Sequence, residues 1–255
     1  MAAFPLMLPG TSRPPKLVVF DLDHTLIACD ATILWTEFLY EKKIVTDPIW
    51  RQYDRDMVKS YAKGVLDIRD FCRKHAGAFR SIPEEKLHAL AQEFAKKKIA
   101  PLIFPDGKKW VKNALQANIP ACVLSASAAF IVKPIAKLFG LTDAMGIELA
   151  FKDGFCTGEI VGIPTFQEGK VERLSQRLAE AGIGFEDVLF FTDSRNDLPL
   201  AERAGYTVCV NPDAVLESAA RKNSWKVAEW KLSLRTQMTA QVDAKGVPET
   251  QTVRS

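Results

Sequence analysis

Two aspartates, Asp21 and Asp23, close an apolar run from Leu17 to Phe20, and Thr25 follows them. Neighbouring carboxylates repel unless a cation or a proton sits between them. Hard oxygen donors suit magnesium, and an ionised carboxylate can act as a nucleophile. The stretch therefore reads either as a magnesium site with a carboxylate nucleophile or as a strand ending in an Asp-rich turn or helix cap. Three more polar stations follow in order: Ser125 after the apolar Ile119–Leu124, Lys170 at the start of a helical run, and Asp193 with Asp197 after Val188–Thr192. Each has an ordinary reading as well. Ser125 or Ser127 can cap the next helix. Lys170 can be a solvated lysine, although a positive charge at a helix start opposes the dipole. Asp193 and Asp197 can make an Asx turn and a cap. Four such stations in one order are less easily a coincidence than one.

The elements that must position them alternate. Leu17–Asp21, Ile119–Leu124 and Val188–Thr192 are apolar without alternation, as strands buried on both faces are. Further strands are expected near Tyr206–Val210 and Trp225–Trp230, and helices over 107–117, Ala128–Phe139 and Lys170–Ala181. Gly146–Ile163 reads as a hairpin turning at Lys152-Asp153-Gly154. Strands alternating with helices imply an α/β fold, a Rossmann-like doubly wound parallel sheet whose strand ends share one edge. Between 29 and 100 the strand-like runs vanish. Ile33, Leu34, Phe38 and Leu39 make one helical stripe, Pro83-Glu84-Glu85 reads as a helix start, and Pro105-Asp106-Gly107 reads as a turn closing the segment. The expected organisation is a leader at 1–15, a core at 16–28 and 101–235, an all-helical insertion at 29–100, and a polar tail at 236–255.

A net charge of +3 gives no reason to expect nucleic acid or an acidic membrane as partner. No stretch approaches the ~20 apolar residues of a membrane span, and the N-terminus lacks the charged start and apolar centre of a signal peptide. Five scattered cysteines, never spaced C-x-x-C, argue against a disulfide framework and for the cytoplasm. Three histidines without ligand spacing argue against a zinc hydrolase.

Asp21-Leu22-Asp23-His24-Thr25-Leu26, Ser125, Lys170 and Asp193-Ser194-Arg195-Asn196-Asp197 resemble, in order, the four motifs of the haloacid dehalogenase superfamily of phosphohydrolases. The resemblance runs from about residue 16 to about 230, and the helical insertion is similar to the C1-type cap of the phosphoserine phosphatase-like and histidinol-phosphate phosphatase-like branch. It implies a Mg²⁺-dependent phosphomonoesterase acting through an aspartyl phosphate. Asp21 would be the nucleophile, Asp23 the general acid and base, and Lys170 the balancing charge. Asp21, Asp23 (through its carbonyl) and Asp193 would hold Mg²⁺. Thr25, Ser125 and Asn196 would hold phosphate, with Asp197 supporting. Asp30, nine residues after Asp21, stands where phosphoserine phosphatases carry an acidic substrate-contacting residue. An amine-bearing substrate such as histidinol phosphate or phosphoserine follows, unless Asp30 only caps a helix. Arg51, Arg55 and Arg69 are candidates for the cap arginines of phosphoserine phosphatases. His24 and Thr192 depart from the family, which usually has Gly or Ser at the first and Gly at the second. A phosphotransferase or mutase on the same scaffold, and a non-catalytic binding protein, are the competing readings.

Overall fold

The computed structural model describes residues 13–232. The expected tail at 236–255, and all of the leader except 13–15, lie outside the described residues. Chain order is β1 (Leu17–Phe20), α1 (Ala31–Glu41), α2 (Ile49–Lys63), α3 (Ile68–His75), α4 (Glu84–Phe94), α5 (Pro105–Gln116), β2 (Ala121–Ala128), α6 (Ala129–Lys137), β3 (Ala144–Ile147), β4 (Leu149–Lys152), β5 (Phe155–Ile160), α7 (Glu168–Ala181), β6 (Val188–Thr192), α8 (Leu198–Ala201), β7 (Tyr206–Val210), α9 (Ala214–Asn223) and β8 (Lys226–Ala228).

Six strands form one sheet in the order β3-β2-β1-β6-β7-β8, every pair parallel. β1 lies at the centre, between β2 and β6, and both of its faces are buried. From β1 the chain winds outward through β2 to β3 on one side and from β6 through β7 to β8 on the other. The β1/β6 boundary is thus a topological switch point, where open α/β sheets leave a crevice at the carboxyl ends of their strands. Asp21 and Asp193 each follow the strand at that boundary.

Three local expectations need correction. Pro105-Asp106-Gly107 is the first turn of α5, not a closing turn, because Pro105 at the first helical position needs no N–H partner there. β2 runs past Leu124 to Ala128. Its added residues are small and polar because Ser125 and Ser127, two apart, face the same carboxylate. Neither serine caps α6; the N-cap is Ala128, with no side-chain bond. The hairpin is narrower than expected: β4 and β5 turn through Asp153-Gly154, while Gly146 belongs to β3 in the main sheet.

The helical segment shares one continuous apolar cluster with the sheet. Trp35 of α1 is fully buried and meets the rings of Phe38, Phe94 and Phe130, so it is core rather than a substrate platform. The hairpin stitches α4 down, with Glu84 N–H donating to the Gly154 carbonyl. α1, α2 and α3 meet around a buried polar group. Thr36 Oγ1 lies 3.0 Å from His75 Nε2, and Asp54 Oδ1 lies 3.6 Å from the same nitrogen. Burial pushes Asp54 up to about 7 and His75 down to about 4. A carboxyl whose folded pKa exceeds its unfolded value stabilises fully at acid pH and loses that contribution as pH rises through the folded pKa. Asp54→Asn should therefore melt close to wild type near pH ~4 and above it at pH ~8, as thermal melts across that range would show.

Candidate active site

The site is built where β1 and β6 end. Lys170, in the first turn of α7, is fully buried and reaches two carboxylates, Asp21 Oδ1 at 2.7 Å and Asp197 at 2.7–2.8 Å. Burial disfavours the ammonium, but Asp197 and Asp21 outweigh it and hold its pKa above the ordinary range. Thr192 Oγ1 donates to Asp197 Oδ2 at 2.7 Å, so the residue that departs from the family's glycine adds a donor to this network. Gly169 precedes the lysine because a Cβ there would lie 1.9 Å from the Pro164 carbonyl oxygen.

Asp23 is held on two sides. Its Oδ1 accepts from the Ala31 N–H at 2.6 Å, at the start of α1, and its Oδ2 accepts from Ser127 at 2.8 Å and Ser125 at 3.3 Å. His24 has φ 54°, the left-handed region, which explains why glycine suits this position elsewhere. Asp30 caps α1 through Ile33 N–H at 3.0 Å and also faces the cavity, so both of its expected roles are geometrically open together. Thr25 donates to Asp193 Oδ1 at 3.3 Å. The loop after β6 is fixed from outside by Asp213, whose N–H donates to the Asp193 carbonyl and whose Oδ2 accepts from Arg195 N–H.

Negative charge exceeds positive here. Burial pushes Asp21 up to about 7, with Asp197 and Asp23 adding to it and Lys170 opposing. Burial also pushes Asp23 up to about 6, reinforced by Asp30 and opposed by the Ala31 and Ser127 donors. Asp193 is held well above its ordinary value by burial, then by Asp21 and Asp197. Asp30 is raised by burial. This donor set fits a hard divalent cation between Asp21 and Asp193. Among the described residues no three His, Cys, Asp or Glu side chains group as a ready-made cage. Two carboxylates and a backbone carbonyl, completed by water and substrate, are what magnesium commonly takes.

A cavity of about 400 Å³ opens above these groups. Asp21, Asp23, Asp30, Asp193 and Ser127 form its acidic floor. Ile33, Leu34, Met57, Val58, Leu66 and Phe71 form an apolar wall; Leu34 packs against the core as well, while Ile33 turns to the cavity. Lys170, Thr25, Ser125 and Asp197 are not among its lining residues; the first three act on it through the carboxylates they bond, and Asp197 acts through Lys170. Asn196 is turned elsewhere, donating to the Tyr61 carbonyl at 3.0 Å and accepting from Gln167. Among the described residues no lysine or arginine lines the cavity, and His24 is the basic side chain that does. Arg51 pairs with Glu37 and lies over the Tyr40 ring, and Arg55 bonds Gln52. Ser127, Tyr61, Cys29 and Gln167 were not singled out as site residues from sequence. The Ser-x-Ser period of two on β2 was the available signal for Ser127; Tyr61, Cys29 and Gln167 carry none.

A family model of haloacid dehalogenase-like hydrolases matches residues 18–202. The chain belongs to this family. It is 35% identical to the histidinol-phosphatase of Neisseria meningitidis serogroup C (strain 8013) over 220 residues, 85% of this chain and 99% of that one. A crystal structure of a protein of unknown function from Bordetella pertussis Tohama I is 32% identical, with TM-score 0.75 over 83% of this chain and 96% of that one. A phosphoserine phosphatase solved as a phospho-aspartyl intermediate analogue shares the fold, with TM-score 0.63 and 22% identity over 89% of this chain and 99% of that one. The hydrolase fold expected from the four motifs is thereby shown, with its six-stranded parallel sheet. Among the described residues no helix is long and apolar enough to cross a membrane.

The charge excess is measurable. Adding Mg²⁺ should raise the melting temperature by a few degrees, since a ligand bound only by the native state stabilises it. Asp193→Asn should melt higher than wild type without metal, by relieving the repulsion, and should lose the Mg²⁺ response. Calorimetry with Mg²⁺ and with EDTA reads both.

Proposed function

We propose that this chain is a Mg²⁺-dependent phosphomonoesterase of a small amine-bearing metabolite, and that histidinol phosphate serves it better than phosphoserine. The observation that carries the choice is the cavity itself: acidic at its floor, apolar along its wall and, among the described residues, without lysine or arginine. A substrate carboxylate would lie near Asp30 with no cation to pair it, and an unpaired desolvated charge is costly. An ammonium group would find Asp30. The relative named as a histidinol-phosphatase supports the same choice. The scattered free cysteines suit a cytoplasmic enzyme.

Asp21 is the nucleophile in this reading. Its carboxylate oxygen attacks phosphorus, the ester P–O bond breaks, and the phosphoryl group passes to Asp21. Lys170, 2.7 Å away, favours the ionised form of Asp21 against burial and offsets the negative charge that two anions bring together. The Asp21 and Asp193 carboxylates and the Asp23 carbonyl would hold Mg²⁺, which would supply positive charge to offset that of the phosphate. Asp23 gives its proton to the departing alkoxide. It then takes a proton from the water that attacks the aspartyl phosphate, which returns Asp21 and releases phosphate. A carboxyl held up at about 6 suits both halves of that exchange. Ser125 and Ser127 fix the side of Asp23 away from α1. Thr25 orients Asp193, and Asp197 holds Lys170 from the opposite side to Asp21. Asn196, spent on Tyr61 and Gln167, serves the helical segment rather than phosphate.

Phosphate release from a panel of esters tests this. Histidinol phosphate should exceed phosphoserine by at least about tenfold in kcat/KM, the penalty of an unpaired polar group. EDTA should stop turnover, and Asp21→Asn should reduce it by several orders of magnitude. A preference for phosphoserine would reject the substrate assignment, and turnover by Asp21→Asn would reject the nucleophile. The pH profile gives a separate check. Asp23 must be protonated to start the reaction, so kcat/KM should fall as pH rises past its pKa. Ser127→Ala removes a donor that favours the carboxylate, so the falling limb should move to higher pH, by up to about one unit.

A further inference from the structure

Gln167 holds a backbone conformation that a side chain rarely adopts. Its φ is 48° and its ψ is −124°, a region close to glycine's alone. Such strain persists where surrounding contacts impose it. Here the Gln167 carbonyl accepts from the Lys170 N–H, and the side chain makes two further bonds. Gln167 Nε2 donates to the Gly64 carbonyl at 3.2 Å and to Asn196 Oδ1 at 3.1 Å. Gly64 is the left-handed cap of α2, and its φ of +72° turns that carbonyl out of the helix. Asn196 completes the bridge through Nδ2, which donates to the Tyr61 carbonyl at 3.0 Å. The rings of Tyr61 and Phe166 lie 5.8 Å apart beside it. Tyr61 lines the cavity, so this small set of bonds fastens one cavity wall to the sheet edge.

The fastening is adjacent to the charge network. The Gln167 carbonyl accepts from the Lys170 N–H at 3.0 Å, and Asn196 directly precedes Asp197. Both residues of the bridge therefore belong to the segments that carry the Lys170–Asp197 pair. We propose that Gln167 is a positioning residue that latches the carboxyl end of α2 over the cavity and couples that closure to the Lys170–Asp197 pair. What the closure serves rests on the phosphatase reading; the latch itself does not.

Gln167→Gly separates the latch from mere structural support. Glycine relieves the backbone strain and removes the bridge, so stability and closure should move in opposite directions. The melting temperature should stay level or rise. Amide hydrogen exchange over residues 60–66 should quicken. KM for histidinol phosphate should rise about tenfold with kcat changed less, as expected for the loss of two hydrogen bonds. Gln167→Glu keeps the strain but turns the donor into an acceptor facing two acceptors, so it should lose closure and stability together. Unchanged exchange over 60–66 in Gln167→Gly, or faster exchange with KM unchanged, overturns the proposal. If wild type hydrolyses no ester, faster exchange in Gln167→Gly still upholds the latch, and the failure belongs to the phosphatase reading alone.

Discussion

Among the described residues the Lys170 ammonium is the one buried positive charge in contact with Asp21 and Asp197, and Asp23, Asp30 and Asp193 crowd close by. Buried carboxylates this near one another are expensive without compensation. Much of the architecture serves to hold them there. The parallel sheet brings the ends of β1 and β6 together, α7 brings its first turn beneath them, and β2 extends past its apolar part to present two serines. Lys170 offsets part of the repulsion, and a cation between Asp21 and Asp193 would offset more.

The fold was legible because burial on both faces leaves a plain signature. Val188–Thr192 and Tyr206–Val210 read as strands at their observed bounds, since β-branched and aromatic residues dominate them and no charged residue interrupts them. β2 was read too short, because Ser125 and Ser127 look like loop residues unless their carboxylate partner is known. Pro105 looked like a turn because proline opens helices and turns alike. The departures from the family pattern became interpretable only in three dimensions. His24 carries a positive φ, and Thr192 donates to Asp197.

The site was legible to different depths. Aspartates after buried strands are conspicuous, and the structure brings Asp21, Asp23, Asp193, Asp197 and Lys170 to one place. Asn196 was not readable, because its partners Tyr61 and Gln167 come from a distant helix end and a loop. The charge of the cavity wall was equally hidden. Sequence offers Arg51, Arg55 and Arg69 as candidate cap arginines; the fold spends Arg51 on Glu37 and, among the described residues, leaves the lining without a lysine or arginine. Substrate choice therefore rests on which side chains the helices turn inward, information that spacing alone does not hold.

The central claim is that Asp21 carries the phosphoryl group. Wild-type protein mixed with Mg²⁺ and histidinol phosphate, quenched in acid during turnover and digested, tests it by peptide mass. The account predicts a gain of about 80 Da, one phosphoryl group, on the peptide containing Asp21. Turnover with no phosphorylated peptide, or with the added mass on a different residue, would contradict it.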